Sequence, residues 1–161
     1  MKILKQVQPS NQLSFLQVAE IQVSYHPHFK AKDRPKISSS RVAYEILLAN
    51  WNTDTIEYRE EVNILLLNRA NHVIGIYQAS AGGQSGTVLD PKLIFGVALK
   101  SSATGIIVSH NHPSGNLKPS PDDIKITKRL VDGGKILDLP VLDHIIITTD
   151  GYLSFADEGL L

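Results

Sequence analysis

The order of apolar and polar positions divides the chain into short elements. Ile21, Val23 and Tyr25 alternate with Glu20, Gln22 and Ser24, the period-two pattern of a half-buried strand over 18–25. The stretch from His26 to Pro35, with Pro27, Lys30, Lys32 and Arg34, reads as an exposed basic loop. Any of Ser38, Ser39 and Ser40 can N-cap a helix whose apolar face is Val42, Tyr44 to Leu48 and Trp51, ending near Asn50 to Asn52. Glu60 to Asn68 opens with two acids and turns almost wholly apolar, as a central strand covered on both faces does. Asn68 to Asn71 is a turn, and His72 to Tyr77 returns as the second strand of an antiparallel hairpin.

Further on, Ala81 to Gly86 is a Gly-rich loop without the Lys-Ser/Thr of a phosphate loop, and it could form a mobile lip over a cleft. Asp90-Pro91 is an N-cap followed by proline at the first helical position, and the helix runs to about Leu99. Gly105 to Ser109 is a short buried strand. Ser120-Pro121 starts another helix, with Ile124, Thr127, Leu130 and Val131 on one side and Gly133-Gly134 weakening its end. Leu142 to Thr148 is a strand, and Asp150-Gly151 turns it into Tyr152 to Ser154. Hairpins mixed with helices predict an α+β fold, a mixed and mainly antiparallel sheet with helices on its faces. Residues 1–36 form an N-terminal extension of strand and basic loop, and 37–161 form the main domain.

Composition narrows the chemistry. A chain of 161 residues buries enough surface to fold without a disulfide or a metal, so a bound metal is free to be catalytic. Lys+Arg and Asp+Glu are both 16, a balance that weighs against a protein built mainly to grip nucleic acid. The absence of cysteine excludes disulfides, thiolate zinc ligands and a thiol nucleophile. No apolar run approaches the ~20 residues that span a bilayer, and the N-terminus has no signal-peptide pattern. The expectation is a soluble, cytoplasmic protein with no membrane partner.

The chemistry concentrates after the fourth predicted strand, Gly105 to Ser109. His110-x-His112 places two imidazoles on one face of an extended strand end, within reach of one ion. Asp123, in the first turn of the next helix, can supply a third ligand. Two histidines and a carboxylate with a fourth position for water form a catalytic zinc pattern. Such a water becomes a nucleophile near neutral pH, and a further carboxylate is needed as base. Ser120-x-x-Asp123 is at the same time a helix-capping pattern, so the two readings compete for the same groups.

His110-x-His112-x7-Ser120-x-x-Asp123 resembles the JAMM metalloprotease motif. The wording His110-Asn111-His112-Pro113-Ser114-Gly115, with Pro119, Ser120 and Asp123, resembles the RadC family in particular, and the likeness runs from about Ile37 to the C-terminus. The resemblance implies a cytidine-deaminase-like core and zinc held by His110, His112 and Asp123. It implies that Ser120 steadies an oxyanion and that an upstream glutamate hydrogen-bonds the metal water. An acid eight residues before the Asp or Asn that closes the strand, here Asn68, favours Glu60, while strand alternation alone leaves Glu61 open.

The function so implied is zinc-dependent hydrolysis of a peptide or isopeptide bond. The alternative is a DNA-repair-associated accessory protein that binds DNA, through Lys30, Lys32, Arg34 and Lys36, or a protein partner. Expected partners are a peptide or protein substrate, with DNA and a second copy of the chain as further candidates. The first 36 residues lack the helix-hairpin-helix pattern that the resemblance implies ahead of this domain.

Other candidates have plainer readings. His26-x-His28 lies in the basic loop, and Asp122 diverges from Asp123 on a helix. Ser114 in a Ser–His–Asp triad would leave His112 uncommitted to metal. His144 is either a core histidine or a group that orients the zinc site.

Overall fold

A computed structural model of the chain describes residues 18–20, 22, 24–27, 30–82 and 89–161. After a short 3-10 turn, Ala31–Asp33, the elements run α1 (Ser40–Ala49), β1 (Glu61–Leu67), β2 (Val73–Ala81), α2 (Pro91–Lys100), β3 (Gly105–Asn111), α3 (Pro121–Ile136), β4 (Val141–Ile147) and β5 (Tyr152–Ser154). The five strands form one sheet in the order β2-β1-β3-β4-β5. Only the β3–β4 pair is parallel, because α3 carries the chain back across the sheet between them.

β1 is buried at every position, as a strand with apolar residues on both faces must be. Its alternation divides the core. Val62, Ile64 and Leu66 pack with Ile106 and Val108 of β3 beneath α2 and α3, where Ile94, Phe95 and Leu130 cover them. Leu65 and Leu67 pack with Ile107, Ile145 and Ile147 beneath α1, against Ala43, Leu47 and Trp51. Each fully buried Leu or Ile in these layers stabilises the fold by roughly 1.5–3 kcal/mol. Among the described residues no helix is long and apolar enough to cross a membrane.

The helix starts follow the capping chemistry. The Ser39 side chain accepts from Val42 N, and Asp90 accepts from Lys92 N ahead of Pro91. At α3 the glycine pair does not weaken the helix, which runs on to Ile136. Gly134 is instead a point of close approach: a Cβ there would lie 2.6 Å from the Leu139 carbonyl oxygen. The strand expected over 18–25 is not formed by the residues described there. Residues 18–20, 22, 24 and 25 carry no strand pairing, and Ile21 and Val23 lie outside the described residues. Alternation can mark an apolar face but cannot supply a neighbouring strand. The start of β2 instead takes residues 35–37 alongside, through a Lys36–His72 bridge and Val73 N donating to Pro35 O.

Candidate metal centre

The centre forms where the C-terminal end of β3 meets the N-terminus of α3. His110 and Asn111 close β3, and His112 carries the parallel ladder one step further by donating its N–H to Ile147 O at 3.1 Å. Alternation turns His110 and His112 to the α3 side and Asn111 to the opposite side. The chain then reverses at Gly115, whose φ of 75° suits glycine. This returns Asn116 to His112, whose Nδ1 donates to the Asn116 carbonyl at 2.5 Å. A carbonyl can only accept, so the free lone pair of His112 is on Nε2.

The Nε2 atoms of His110 and His112 are 3.0 Å apart. Asp123 faces both, with Oδ1 3.4 Å from His110 Nε2 and Oδ2 3.7 Å from His112 Nε2. One ligand atom from each residue lies within 4.8 Å of the others. Electron-rich atoms gathered in this way repel until a cation or a proton lies among them. The hydrogen bond to Asp123 is the main cause that raises the His112 pKa, against the effect of burial, with Asn116 and the charge of Glu60 adding to it. Burial alone would push the Asp123 carboxyl up, but His110, His112 and the Ser120 hydroxyl outweigh it and hold it far below the usual carboxylate range.

Ser120 and Asp123 form a complete capping box. The Ser120 hydroxyl accepts from Asp123 N at 3.1 Å, and the Asp123 carboxylate accepts from Ser120 N at 2.8 Å. Ser120 Oγ also donates to Asp123 Oδ2 at 2.7 Å. Helix start and ligand cluster are therefore compatible: the cap holds the carboxylate and aims it at the histidines. Asp122 is exposed and is not part of the cluster.

The two acids at the head of β1 separate cleanly. Val62 pairs with His110, and the same register carried outward sets Glu60 across from His112. On the other edge of β1, Gly82 N donates to Glu60 O at 2.9 Å, so Glu60 continues the β1–β2 ladder in extended form. Glu60 thus lies on the α3 side, partly buried, and its charge acts on His112. Glu61 turns to the α1 side, 1% exposed, and accepts from Arg59 Nε at 2.8 Å.

Asn111 and Thr127 were not singled out from sequence as site residues. Fully buried, Asn111 accepts from Glu61 N at 2.7 Å and donates to Ile56 O and Arg59 O at 2.6 and 2.8 Å. It pins the segment that delivers Glu60. Its signal was available: a polar residue between two same-face histidines must point the other way, into the core. His144 is wholly buried, 2.8 Å from His110 Nδ1 and 2.5 Å from Thr127 Oγ1. Burial, and then the proximity of His110, depress its pKa well below the ordinary histidine value.

Two clefts meet the centre. One, of about 190 Å³, shares His112 and includes Glu57, Ser114, Thr149 and Asp150. The other, of about 270 Å³, shares Asp123 and includes Leu89, Lys125 and Arg129. His28 and residues 83–88 of the Gly-rich loop lie outside the described residues, and His26 is exposed.

Residues 37–160 match the family described as RadC-like JAB domain. A UPF0758 protein of Flavobacterium johnsoniae is 50% identical over 125 residues, covering 78% of this chain and 53% of that protein. Another, from Porphyromonas gingivalis, is 43% identical over 129 residues, 80% of this chain and 56% of that one. A third, from Alkaliphilus metalliredigens, is 46% identical over 103 residues, 64% and 44% of the two chains. The chain spans about half the length of the curated relatives it matches.

Proposed function

The chain belongs to the RadC-like JAB domain family, and from that premise we propose that it is a zinc-dependent hydrolase of JAMM type, cleaving a peptide or isopeptide bond. The observation that carries this reading is the convergence of His110, His112 and Asp123, with Glu60 across the sheet from His112. Two imidazole nitrogens and one carboxylate oxygen suit zinc, and three protein ligands leave a position open for reaction. When bound there, zinc would supply Lewis acidity, polarising a carbonyl and lowering the pKa of a water towards ~7.

The chain's own residues do the rest. Glu60 takes the proton of the attacking water and passes it to the leaving nitrogen, so one carboxylate acts first as base and then as acid. Ser120 steadies the charge that develops on the carbonyl oxygen. Its proton lies on Asp123 in the resting geometry, and rotation about Cβ–Oγ redirects it while Oγ keeps accepting from Asp123 N. That rotation gives up a charge-assisted hydrogen bond of about 1.5–3 kcal/mol. An oxyanion donor contributes about 2.7–4 kcal/mol, enough to offset the loss. The clefts on either side of the centre give an extended chain a path across it.

The DNA-binding reading draws less support. Lys+Arg and Asp+Glu are balanced at 16 each, so the chain has no net positive charge with which to attract phosphates.

The test has two stages. Elemental analysis should find one zinc per chain, lost in His110→Ala; stoichiometric zinc in that variant would overturn the ligand assignment. Zinc-loaded protein should then cut members of a peptide and isopeptide library, with chelator abolishing the cleavage. Cleavage that survives chelation would sink the metal mechanism.

A further inference from the structure

Resting on the metal-centre reading above, we propose that Thr127 and His144 form a hydrogen-bond relay that holds His110 in the one tautomer able to bind metal through Nε2. Neither residue is a ligand, and both are wholly buried.

The direction of each hydrogen follows from the groups that can only accept. Thr127 Oγ1 lies 2.6 Å from the backbone carbonyl oxygen of Asp123, one helical turn earlier. At that separation two oxygens need a hydrogen between them, and the carbonyl has none to give. The single hydroxyl hydrogen of Thr127 is therefore directed to Asp123. Towards His144 Nδ1, 2.5 Å away, Thr127 offers a lone pair, so Nδ1 of His144 carries the hydrogen. His144 is then bare at Nε2 and accepts from His110 Nδ1 at 2.8 Å. With its Nδ1 hydrogen so engaged, His110 presents the Nε2 lone pair to the ligand cluster, 3.4 Å from Asp123 Oδ1.

The relay closes on itself. It begins at the backbone carbonyl of Asp123 and ends facing the side chain of Asp123. The reverse order would turn the Thr127 hydrogen to His144 and the His144 hydrogen to His110. His110 would then carry its hydrogen on Nε2, pointed at the ligands, and the 2.6 Å contact to Asp123 O would be unbonded. Packing holds the His144 ring in the orientation that the relay requires. Phe155 stacks on His144 with ring centroids 4.7 Å apart, and Asp143 anchors that segment by accepting from Ser154 Oγ and Ala156 N at 2.6 and 3.0 Å. His112 needs no such device, because a backbone carbonyl orders it directly.

The test compares the wild-type chain with Thr127→Val, which keeps the shape of Thr127 but loses the hydroxyl, and Thr127→Ser, which keeps the hydroxyl. Two-bond proton–nitrogen NMR spectra of the metal-free chain should show His144 protonated at Nδ1 and bare at Nε2 in wild type and Thr127→Ser. Zinc affinity, measured by competition with a chromophoric chelator, should fall about 10–100-fold in Thr127→Val and be restored in Thr127→Ser. Wild-type His144 carrying its hydrogen on Nε2 would overturn the relay, whether or not the variants fold. So would a folded Thr127→Val that binds zinc as tightly as wild type, since a purely structural threonine would change the melting temperature alone. If the wild-type chain binds no zinc, the metal-centre reading fails, and the histidine spectrum still decides the relay.

Discussion

Glu60→Gln against Glu61→Gln is the sharpest comparison the fold offers, because adjacent residues of one type are placed on opposite faces of one sheet. Glutamine keeps the size of glutamate and removes its basicity. At Glu60, across from His112 and in no ion pair among the described residues, the change should leave fold and zinc content intact. Unfolding free energy should move by no more than about 0.5 kcal/mol, the usual range for sites away from the core and its networks. Turnover should fall by about 10²–10⁴, the usual contribution of a positioned base, which is about 2.7–5.5 kcal/mol on the barrier. At Glu61 the change touches a buried carboxylate held by Arg59 at 2.8 Å. Glutamine can still accept from that guanidinium but loses the charge, a cost of about 1–2 kcal/mol in stability. Turnover there should stay within a factor of a few. The assay is single-turnover cleavage of a library-derived substrate by zinc-loaded protein, with urea unfolding and zinc analysis on the same samples. The reverse pattern, a silent but stable and zinc-loaded Glu61→Gln beside an active Glu60→Gln, would refute the register argument.

Three further outcomes are expected. Asn111→Ala unmakes three hydrogen bonds and should cost roughly 1.5–4.5 kcal/mol in urea unfolding, with turnover falling while zinc content holds; unchanged stability would show that Asn111 does not pin the Glu60 segment. Gly134→Ala drives a Cβ into the Leu139 carbonyl and should lose about 1–3 kcal/mol. Gly133→Ala, which meets the movable ring edge of Phe95 at 3.0 Å, should lose less, and equal losses would refute the backbone-approach explanation. The metal-free chain should be most stable near pH 6.5, the ordinary histidine value. Below it the unfolded chain takes up a proton that buried His144 refuses, so stability falls with acid by up to about 1.4 kcal/mol per pH unit. Above it stability falls as pH rises through the elevated folded pKa of His112, because the folded state then loses the proton that stabilised it. That alkaline limb should vanish in His112→Asn; its persistence there would assign it to another group.

The elements nearest the centre were legible because each carries a local signal with one physical meaning. Acid-then-apolar patterning marked β1, Asp90-Pro91 and Ser120-Pro121 marked the starts of α2 and α3, and His-x-His stood at the end of an apolar run. Illegible features depended on close contacts that local patterning does not encode. Gly133-Gly134 looked like a helix end, since glycine is a poor helix former, whereas Gly134 serves an approach by Leu139 that no local pattern announces. The 18–25 alternation promised a strand, and the start of β2 took residues 35–37 instead. Thr127 was read as one of several residues on a helix face, and its hydroxyl acquires meaning only once β4 brings His144 beneath it.

The choice between Glu60 and Glu61 shows where the missing information resides. Both acids are of one residue type and lie at the same distance from the histidines along the chain, to within one residue. What separates them is parity across the β1–β3 ladder. Val62 opposite His110 puts the even positions of β1 on the face of the even positions of β3, and the parallel β3–β4 register puts His144 on that face as well. A slip of one residue in the β1–β3 pairing would exchange Glu60 for Glu61 at the centre. It would also turn Val62, Ile64 and Leu66 out of the layer beneath α2 and α3, where they are 0–6% exposed. Because β1 is apolar on both faces, Leu65 and Leu67 would take their places, while the buried contacts of Asn111 with Glu61 N and of Ser109 with Asn63 O would be lost. The position of the proposed base is a consequence of the β1–β3 register that these buried contacts fix.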